Sequence, residues 1–394
     1  MNAHPKKRAF LSISAVFYIA FALAYLFSFL SIPKIYLGSD PLSFLTGAEI
    51  IKNGKAEFLY DENIQFEYQN KLIFPKTRTN LLPFRSPPVV GLAFIPLTFL
   101  GLKYTYIFVI VFNLLMIALF SLIGFRIFEK IKKITVFSAS VLYLPFLATL
   151  IYGQFTSLIL LILLLIYKFA KEKRGYLAGL TCGILLIKPQ FFLIVPFLYL
   201  LIENKKDFIK GILISFLVMV VVNLLTSGYG ALISYPGFLL ATETASYGSR
   251  PYQIFTLFSF MKLFAGKYIS SFLLLFINIV LYLLSILVFK KKLKKLSFEV
   301  NFIIGIILTI LFSVHALSHD LTILLIPIFI ILNFIFGEKK KIPKSYMTIL
   351  LLLYFLPLFI VINGAVISVL LLLIIAVQLF LCRDCLSKTS AVFS

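Results

Sequence analysis

Residues 269–289 read ISSFLLLFINIVLYLLSILVF, a run without one charged side chain, and the basic cluster KKKLKK follows at 290–295. A helix needs about 20 consecutive apolar residues to cross the hydrocarbon core of a bilayer. Short basic segments beside such runs mark the cytoplasmic side of the membrane. This stretch therefore predicts a transmembrane helix whose carboxyl-terminal end faces the cytoplasm.

The composition extends this prediction to the whole chain. Its 394 residues are 61% hydrophobic and 13% charged, with a mean hydropathy of +1.05. A soluble domain has roughly 45–50% apolar and about 25% charged residues. At about 20 residues per crossing, the length allows on the order of 11 to 13 crossings. We therefore expect an all-α polytopic membrane protein, with one integral membrane domain over residues 1–394, and exclude a single-span receptor.

The excess of basic residues is interpreted as topological. The chain has 37 Lys and Arg against 15 Asp and Glu, a formal net charge of +22. In a soluble protein this balance would indicate a nucleic-acid partner, but here most basic residues cluster in short segments between apolar runs. Such clusters mark the cytoplasmic face and attract anionic lipid. We expect a multi-pass protein of the cell membrane with a cytoplasmic amino terminus and no nucleic-acid partner.

Two segments are predicted to lie outside. Residues 33–88 contain seven basic and six acidic side chains and are too long for a plain connector, so we expect a folded external loop. Within it, residues 43–53 have the spacing of a short amphipathic helix, expected to lie on the outer leaflet. A second external loop is expected over residues 227–268, which are rich in Gly, Tyr and Ser.

Asp40 is the first candidate for chemistry, since it follows the first apolar run by eight residues in Gly38-Ser39-Asp40-Pro41. A carboxylate beside an apolar wall can act as a general base, because partial desolvation raises its pKa toward working pH. The alternative is structural. Asp before Pro commonly forms an Asx turn.

Lys188 interrupts the apolar stretch 176–202 within Ile187-Lys188-Pro189-Gln190. A cation at that depth is costly, and it usually has an anionic partner or lines a cavity, which makes Lys188 a candidate phosphate clamp. The alternative is a lysine that snorkels from a hairpin turn to the outer headgroups.

Two histidines, His315 and His319, are four residues apart, with Asp320 adjacent. On a helix this spacing would place both imidazoles on one face, but two histidines without a third ligand fall short of a zinc signature. They could instead donate hydrogen bonds to a headgroup phosphate. Otherwise they are polar residues at an outer helix end, with Asp320 capping the next helix.

Arg85 and Arg250 each stand just before proline-containing loop-to-helix junctions. A guanidinium there can bind a phosphodiester through two parallel hydrogen bonds. Interfacial anchoring to lipid headgroups is the alternative.

The cysteines carry only a weak signal. Cys182, Cys382 and Cys385 give no disulfide framework. The CxxC at 382–385 is a weak zinc or redox signal, and thiols at a membrane boundary with optional acylation are the favoured alternative. No nucleotide-binding glycine motif is present. Without such a motif, the energy must come from a substrate activated elsewhere or from an ion gradient. We expect no cofactor and no metal.

The order of several motifs resembles glycosyltransferase family 87. The resemblance covers about residues 35–330, and Gly153-Gln154 and Lys188-Pro189-Gln190 are its most specific parts. It rests on these motifs, in chain order: Asp40, Leu59-Tyr60-Asp61, Pro87-Pro88, Gly153-Gln154, Lys188-Pro189-Gln190 and His319-Asp320.

The resemblance implies the C-type glycosyltransferase (GT-C) fold and a polyprenyl-phosphate-mannose-dependent mannosyltransferase activity. Asp40 matches the family's catalytic base, Lys188 its lysine before Pro-Gln, and His319 its late histidine. Gln154, Gln190, Arg85 and Arg250 complete the expected substrate-binding set.

The expected reaction transfers a hexosyl residue, with inversion, from a polyprenyl-phosphate sugar to a cell-envelope glycolipid or glycan on the external face. Membrane lipid and these two substrates are the expected partners. The alternative is a multi-pass transporter or lipid-linked glycan flippase. A transporter would carry ionisable residues at midmembrane in several helices, whereas the deep apolar runs here are almost free of acids.

Overall fold

The computed structural model describes residues 18–29, 31–32, 34–243, 247, 251–293, 296–337, 344–356 and 365–381. Within these ranges the chain is helical and contains no β-strand. The α-helices are α1 (Tyr18–Phe29), α2 (Pro41–Lys52), α3 (Glu62–Ile73), α4 (Pro88–Phe94), α5 (Gly101–Ile127), α6 (Lys133–Val141), α7 (Leu144–Tyr152), α8 (Thr156–Lys171), α9 (Gly175–Ile184), α10 (Val195–Leu201), α11 (Lys205–Ala241), α12 (Leu257–Ala265), α13 (Ser271–Lys292), α14 (Phe298–Phe312), α15 (Leu325–Gly337), α16 (Lys344–Phe355) and α17 (Ala365–Leu381). The predicted all-α membrane class is confirmed.

Short 3-10 segments interrupt or border several of the apolar runs. They cover Ile35–Gly38, Ala56–Phe58, Ile95–Leu100, Leu185–Ile187, Pro189–Ile194, Pro251–Gln253 and Ser318–Leu324. Proline has no N–H and cannot continue an α-helical ladder from the preceding turn. Pro96 and Pro189 each stand in the first turn of such a segment. The apolar runs are therefore divided into shorter helices at these points.

The described part of the chain has fewer full-length membrane spans than the sequence suggests. Among the described residues, four stretches are long and apolar enough to cross a bilayer: Pro88–Ile127, Lys205–Ala241, Ser271–Lys292 and Ser318–Gly337. The pair α6 and α7, bent by 54°, would make a fifth. The expectation of 11 to 13 crossings treated short apolar runs as full crossings, whereas several are helices of 10–17 residues.

The segment after residue 226 also differs from the expected second loop. Helix α11 continues to Ala241, with a break at Gly228, where φ is 74° and ψ is 175°. Only glycine reaches this backbone conformation without strain. Before the break, Asn223 Oδ1 accepts from the Val89 N–H at 2.7 Å and joins α11 to the start of α4. Residues 227–268 therefore contain the end of α11 and all of α12.

The first predicted loop is folded, and a helix (α2) forms where one was expected over 43–53. Helix α2 contacts α3, α4 and α5 and is buried on nearly all its faces, not along one stripe. Two amides of α3 hold the chain that returns toward α4. Gln65 Oε1 accepts from the Phe84 N–H at 2.8 Å, and Gln69 Oε1 accepts from the Leu82 N–H at 3.0 Å.

The centre of the molecule lies around α14 and residues 318–331, which are buried almost throughout. The 3-10 segment Ser318–Leu324 contacts α7 and α8. The residues just before it line the same cavity as Asp40, which precedes α2, and Gln154, which follows α7. The candidate site lies at this junction.

Candidate active site

One cavity of about 970 Å³ brings together most of the predicted site residues. It is bounded by the start of α2, the α7–α8 turn, the Lys188-Pro189-Gln190 turn, the end of α11 and residues 314–320. The predicted residues that line it are Asp40, Arg85, Gln154, Lys188, Gln190 and His319. Arg250 lies outside the described residues.

Asp40 immediately precedes α2, but its side chain makes no capping hydrogen bond to that helix. Its Oδ2 accepts from Gln154 Nε2 at 2.6 Å, and its main-chain N–H donates to Tyr152 O at 2.9 Å. The Asx-turn interpretation is therefore wrong. The carboxylate is directed toward the α7–α8 turn and the cavity.

The surroundings of Asp40 make it a stronger base than an exposed carboxylate. Burial raises the pKa of Asp40 above its usual value, while the hydrogen bond from Gln154 and the charge of Lys188 oppose that shift. Desolvation disfavours the charged form of a carboxyl group. A raised pKa brings the carboxylate closer to the value that suits proton abstraction near neutral pH.

Gly153 explains why Gln154 reaches Asp40. It ends α7 with φ of 67°, in the left-handed region that favours glycine. A Cβ at this position would lie 2.5 Å from Pro41 Cδ. The end of α7 therefore lies directly against the start of α2. Asn113 Nδ2 donates to the main-chain oxygen of Gln154 at 2.6 Å and fixes the turn from the side of α5.

Lys188 is 8% exposed, and its Nζ lies 2.5 Å from Asp320 Oδ1 and 3.1 Å from Thr156 Oγ1. The snorkelling interpretation is therefore wrong. Asp320 was expected only as a cap, and its Oδ2 does accept from the Leu317 N–H at 3.0 Å. Its pairing with Lys188 was missed. The only sequence signal for it was the need of a deep cation for an anion.

The two histidines do not share a helical face. His315 lies in irregular chain, and its Nδ1 is 2.9 Å from Glu243 Oε1. His319 lies in the following 3-10 segment, with Nε2 3.5 Å from Asp320 Oδ1 and with Nδ1 buried and unpartnered among the described residues. Each imidazole therefore faces a different carboxylate. Both line the same cavity.

Arg85 does not point outward to lipid, as the anchoring alternative required. Its Nε donates to Thr242 Oγ1 at 3.1 Å, and its NH1 lies 3.3 Å from Glu243 Oε2. These contacts join the first predicted loop to the end of α11. Burial alone would raise the pKa of Glu243, but His315, Arg85 and Lys262 together lower it below its usual value. Glu243 was not predicted as a site residue.

The model of glycosyltransferase family 87 matches residues 84–314, more than half of the chain. The chain belongs to glycosyltransferase family 87. No curated protein sequence and no solved structure gives a significant match.

As a member of family 87, the chain is a membrane glycosyltransferase that acts on a donor and an acceptor in a lipid environment. The matched range includes Arg85, Gln154, Lys188 and Gln190. Asp40 and the His319-Asp320 pair lie outside it. Their association with the site rests on the geometry of the cavity.

Proposed function

We propose that this family 87 enzyme transfers a hexosyl residue, in the first instance mannosyl, from a polyprenyl-phosphate sugar to a cell-envelope glycolipid or glycan on the outer face of the membrane. The observation that carries the proposal is the cavity in which the Asp40 carboxylate and the Lys188 ammonium both lie. Such a site offers a base to an acceptor hydroxyl and a cation to a leaving phosphate.

The proposed reaction is a single displacement. Asp40 takes the proton of the acceptor hydroxyl, and the acceptor oxygen forms a bond to the anomeric carbon of the donor sugar. The bond from that carbon to the phosphate oxygen breaks on the opposite face, and its electron pair leaves with the polyprenyl phosphate. The configuration at the anomeric carbon is inverted, and the abstracted proton stays on Asp40 until it is released to solvent.

Lys188 is the proposed partner of the leaving phosphate. An ammonium group has three N–H donors, and its contacts with Asp320 and Thr156 occupy two of them. A phosphate oxygen can accept the third. His319 and Gln190 line the same cavity and are the proposed additional contacts of the donor. A charge-assisted hydrogen bond of this kind strengthens as charge develops on the leaving oxygen.

Family membership supports an enzyme over the transporter or flippase alternative. Five of the cavity's ionisable side chains contact one another in pairs at the junction of loops and helix ends, namely Arg85, Lys188, Glu243, His315 and Asp320. This arrangement suits a reaction centre held in one geometry. A transporter requires a site that opens alternately to both sides.

The test is a donor comparison in membranes that contain the enzyme. We expect label to pass from radiolabelled polyprenyl-phosphate mannose into extracted envelope lipid, and no label to pass from the corresponding sugar nucleotide. Membranes without the enzyme are the control. Transfer from the sugar nucleotide alone would contradict the proposed donor. Transfer from a different polyprenyl-phosphate hexose would change the identity of the transferred sugar and leave the proposed donor class unchanged.

A further inference from the structure

Gln154 is hydrogen-bonded through both its main chain and its side chain. Its main-chain N–H donates to Thr149 O at 3.0 Å, and its main-chain oxygen accepts from Asn113 Nδ2 at 2.6 Å. Its side-chain Nε2 donates to Asp40 Oδ2 at 2.6 Å. Backbone and side chain are therefore fixed from three directions.

The amide of Gln154 has little left to offer a ligand. Its Nε2 is engaged by Asp40, and its Oε1 is enclosed by protein without a hydrogen-bond partner in the described part of the chain. A buried amide oxygen without a partner is unfavourable and needs a reason. The reverse orientation of the amide would bring Oε1 against the carboxylate oxygen of Asp40, where two acceptors repel. The contact with Asp40 therefore decides the orientation.

We propose that Gln154 is the positioning residue of the base Asp40, and not a contact of the sugar donor. Its amide holds Oδ2, which leaves Oδ1 of the same carboxylate for the acceptor hydroxyl. Oδ1 accepts no hydrogen bond from any described residue, and Asp40 lines the cavity. This inference deepens the proposed function and rests on it, because it requires that Asp40 is the base.

Main-chain contacts near Asp40 and Gln154 keep the two side chains in position. The Asp40 N–H donates to Tyr152 O at 2.9 Å, so the main chain two positions before Gln154 is hydrogen-bonded to the residue that carries the base. Gly153 lies so close to Pro41 that even a methyl group would not fit. A base held this way needs little reorganisation when the acceptor binds.

The role predicts a change in the titration of Asp40. Burial raises the pKa of Asp40, and the hydrogen bond from Gln154 is foremost among the influences that lower it. Removal of that donor must therefore raise the pKa further. The other titratable or charged groups that interact with Asp40 stay in place in such a variant: Lys188, His315, Asp320, Arg85 and Tyr152.

The test compares Gln154→Leu and Gln154→Glu with the wild-type enzyme. A hydrogen bond to a charged group is worth enough to move a pKa by about 1 to 2 units. We expect the acid limb of kcat/KM in Gln154→Leu to move to higher pH by about that amount, and further in Gln154→Glu, where two carboxyls share the site. The titration of the Asp40 carboxyl band can also be followed by infrared difference spectroscopy, with Asp40→Asn to assign the band. Its midpoint should move by the same amount as the acid limb of kcat/KM.

The infrared titration does not depend on enzyme activity, so it measures the titration midpoint of Asp40 even in an inactive variant. Gln253→Leu is the matched control, because Gln253 lines the same cavity without a described contact to Asp40; its midpoint should stay at the wild-type value. An unchanged midpoint in Gln154→Leu would overturn the positioning role and leave the proposed function intact. Wild-type enzyme that transfers from no polyprenyl-phosphate sugar would instead overturn the proposed function, and this inference with it.

Discussion

At the scale of single residues, the carboxylates of the cavity differ in whether a cation is paired with them. Lys188 is bound to Asp320, and Arg85 contacts Glu243. Asp40 has the neutral amide of Gln154 in contact instead of a cation. Among the described residues, it is therefore the cavity carboxylate without a salt bridge. An unpaired carboxylate with a raised pKa is the one suited to take a proton.

Removal of the Lys188 ammonium should affect both stability and activity. Loss of one partner of a buried ion pair costs about 3–5 kcal/mol, because the other charge stays buried without compensation. We expect Lys188→Gln to lower the thermal unfolding temperature in detergent and to reduce transfer at least about tenfold, since a hydrogen bond to a charged group is worth about 1.5–3 kcal/mol.

The double variant Lys188→Gln/Asp320→Asn separates the two effects. With both charges removed, the unfolding temperature should recover toward the wild-type value, because no unpaired charge remains. Transfer should stay low if Lys188 contacts the leaving phosphate. Recovery of transfer together with stability would show that Lys188 serves only to neutralise Asp320.

At the scale of elements, the joint between α7 and α2 determines the site. Helix α7 ends at Tyr152, and Gly153 caps it in the left-handed conformation, so that Gln154 reaches Asp40, the residue that precedes α2. Tyr106 OH also donates to Ile151 O at 3.0 Å and fixes the end of α7 from α5. Three separate helices therefore meet at one short turn.

Gly153→Ala should disrupt this joint. A non-glycine residue at this φ is strained, and the added Cβ would lie 2.5 Å from Pro41 Cδ. Strain of this kind costs on the order of 1–3 kcal/mol. We expect a lower unfolding temperature and a loss of transfer. Gly230→Ala is the control, because Gly230 is helical and an added Cβ meets no atom within 4 Å; its unfolding temperature and transfer rate should match those of the wild type. Equal behaviour of the two variants would contradict the structural role of the joint.

The sequence predicted the helical class better than the bounds of the helices. Hydropathy identified the apolar runs, but it does not register where a 3-10 segment replaces an α-turn. It also placed the end of one run near residue 226, since Gly, Tyr and Ser follow there. In the structure, the chain is helical on both sides of the break at Gly228, and α11 ends only at Ala241. Gly, Tyr and Ser residues therefore interrupt this helix at Gly228 without ending it.

The sequence predicted individual residues of the candidate site but not the contacts between them. Asp40, Gln154 and Lys188 stand out because each is a polar residue at the boundary of an apolar run. The pairing of Lys188 with Asp320 joins residues 132 positions apart, and Arg85 reaches Glu243 across 158 positions. Spacing along the chain gives no signal for contacts of that range. They follow only from how the helices pack.

At the scale of the whole molecule, the orientation in the membrane remains a prediction from the basic clusters. Exposed positions allow it to be tested. Thr79 lies in the segment predicted to be external, and Lys173 in a cluster predicted to be cytoplasmic. Both side chains are exposed.

In a background with serine at positions 382 and 385, we expect an impermeant maleimide to label Thr79→Cys in intact cells. Lys173→Cys should react only after the cells are opened. Cys182 is buried and should not interfere. Labelling of Lys173→Cys in intact cells, with Thr79→Cys protected, would reverse the orientation and place the cavity on the cytoplasmic side.

The most direct test of the whole account is the transfer rate of Asp40→Asn from polyprenyl-phosphate mannose. Asparagine keeps the size of the side chain and an oxygen that accepts from Gln154 Nε2, but it cannot take a proton from the acceptor. We therefore expect an unchanged unfolding temperature and a rate lower by about 10²–10⁴. A folded Asp40→Asn enzyme that transfers at near the wild-type rate would contradict the assignment of Asp40 as the base.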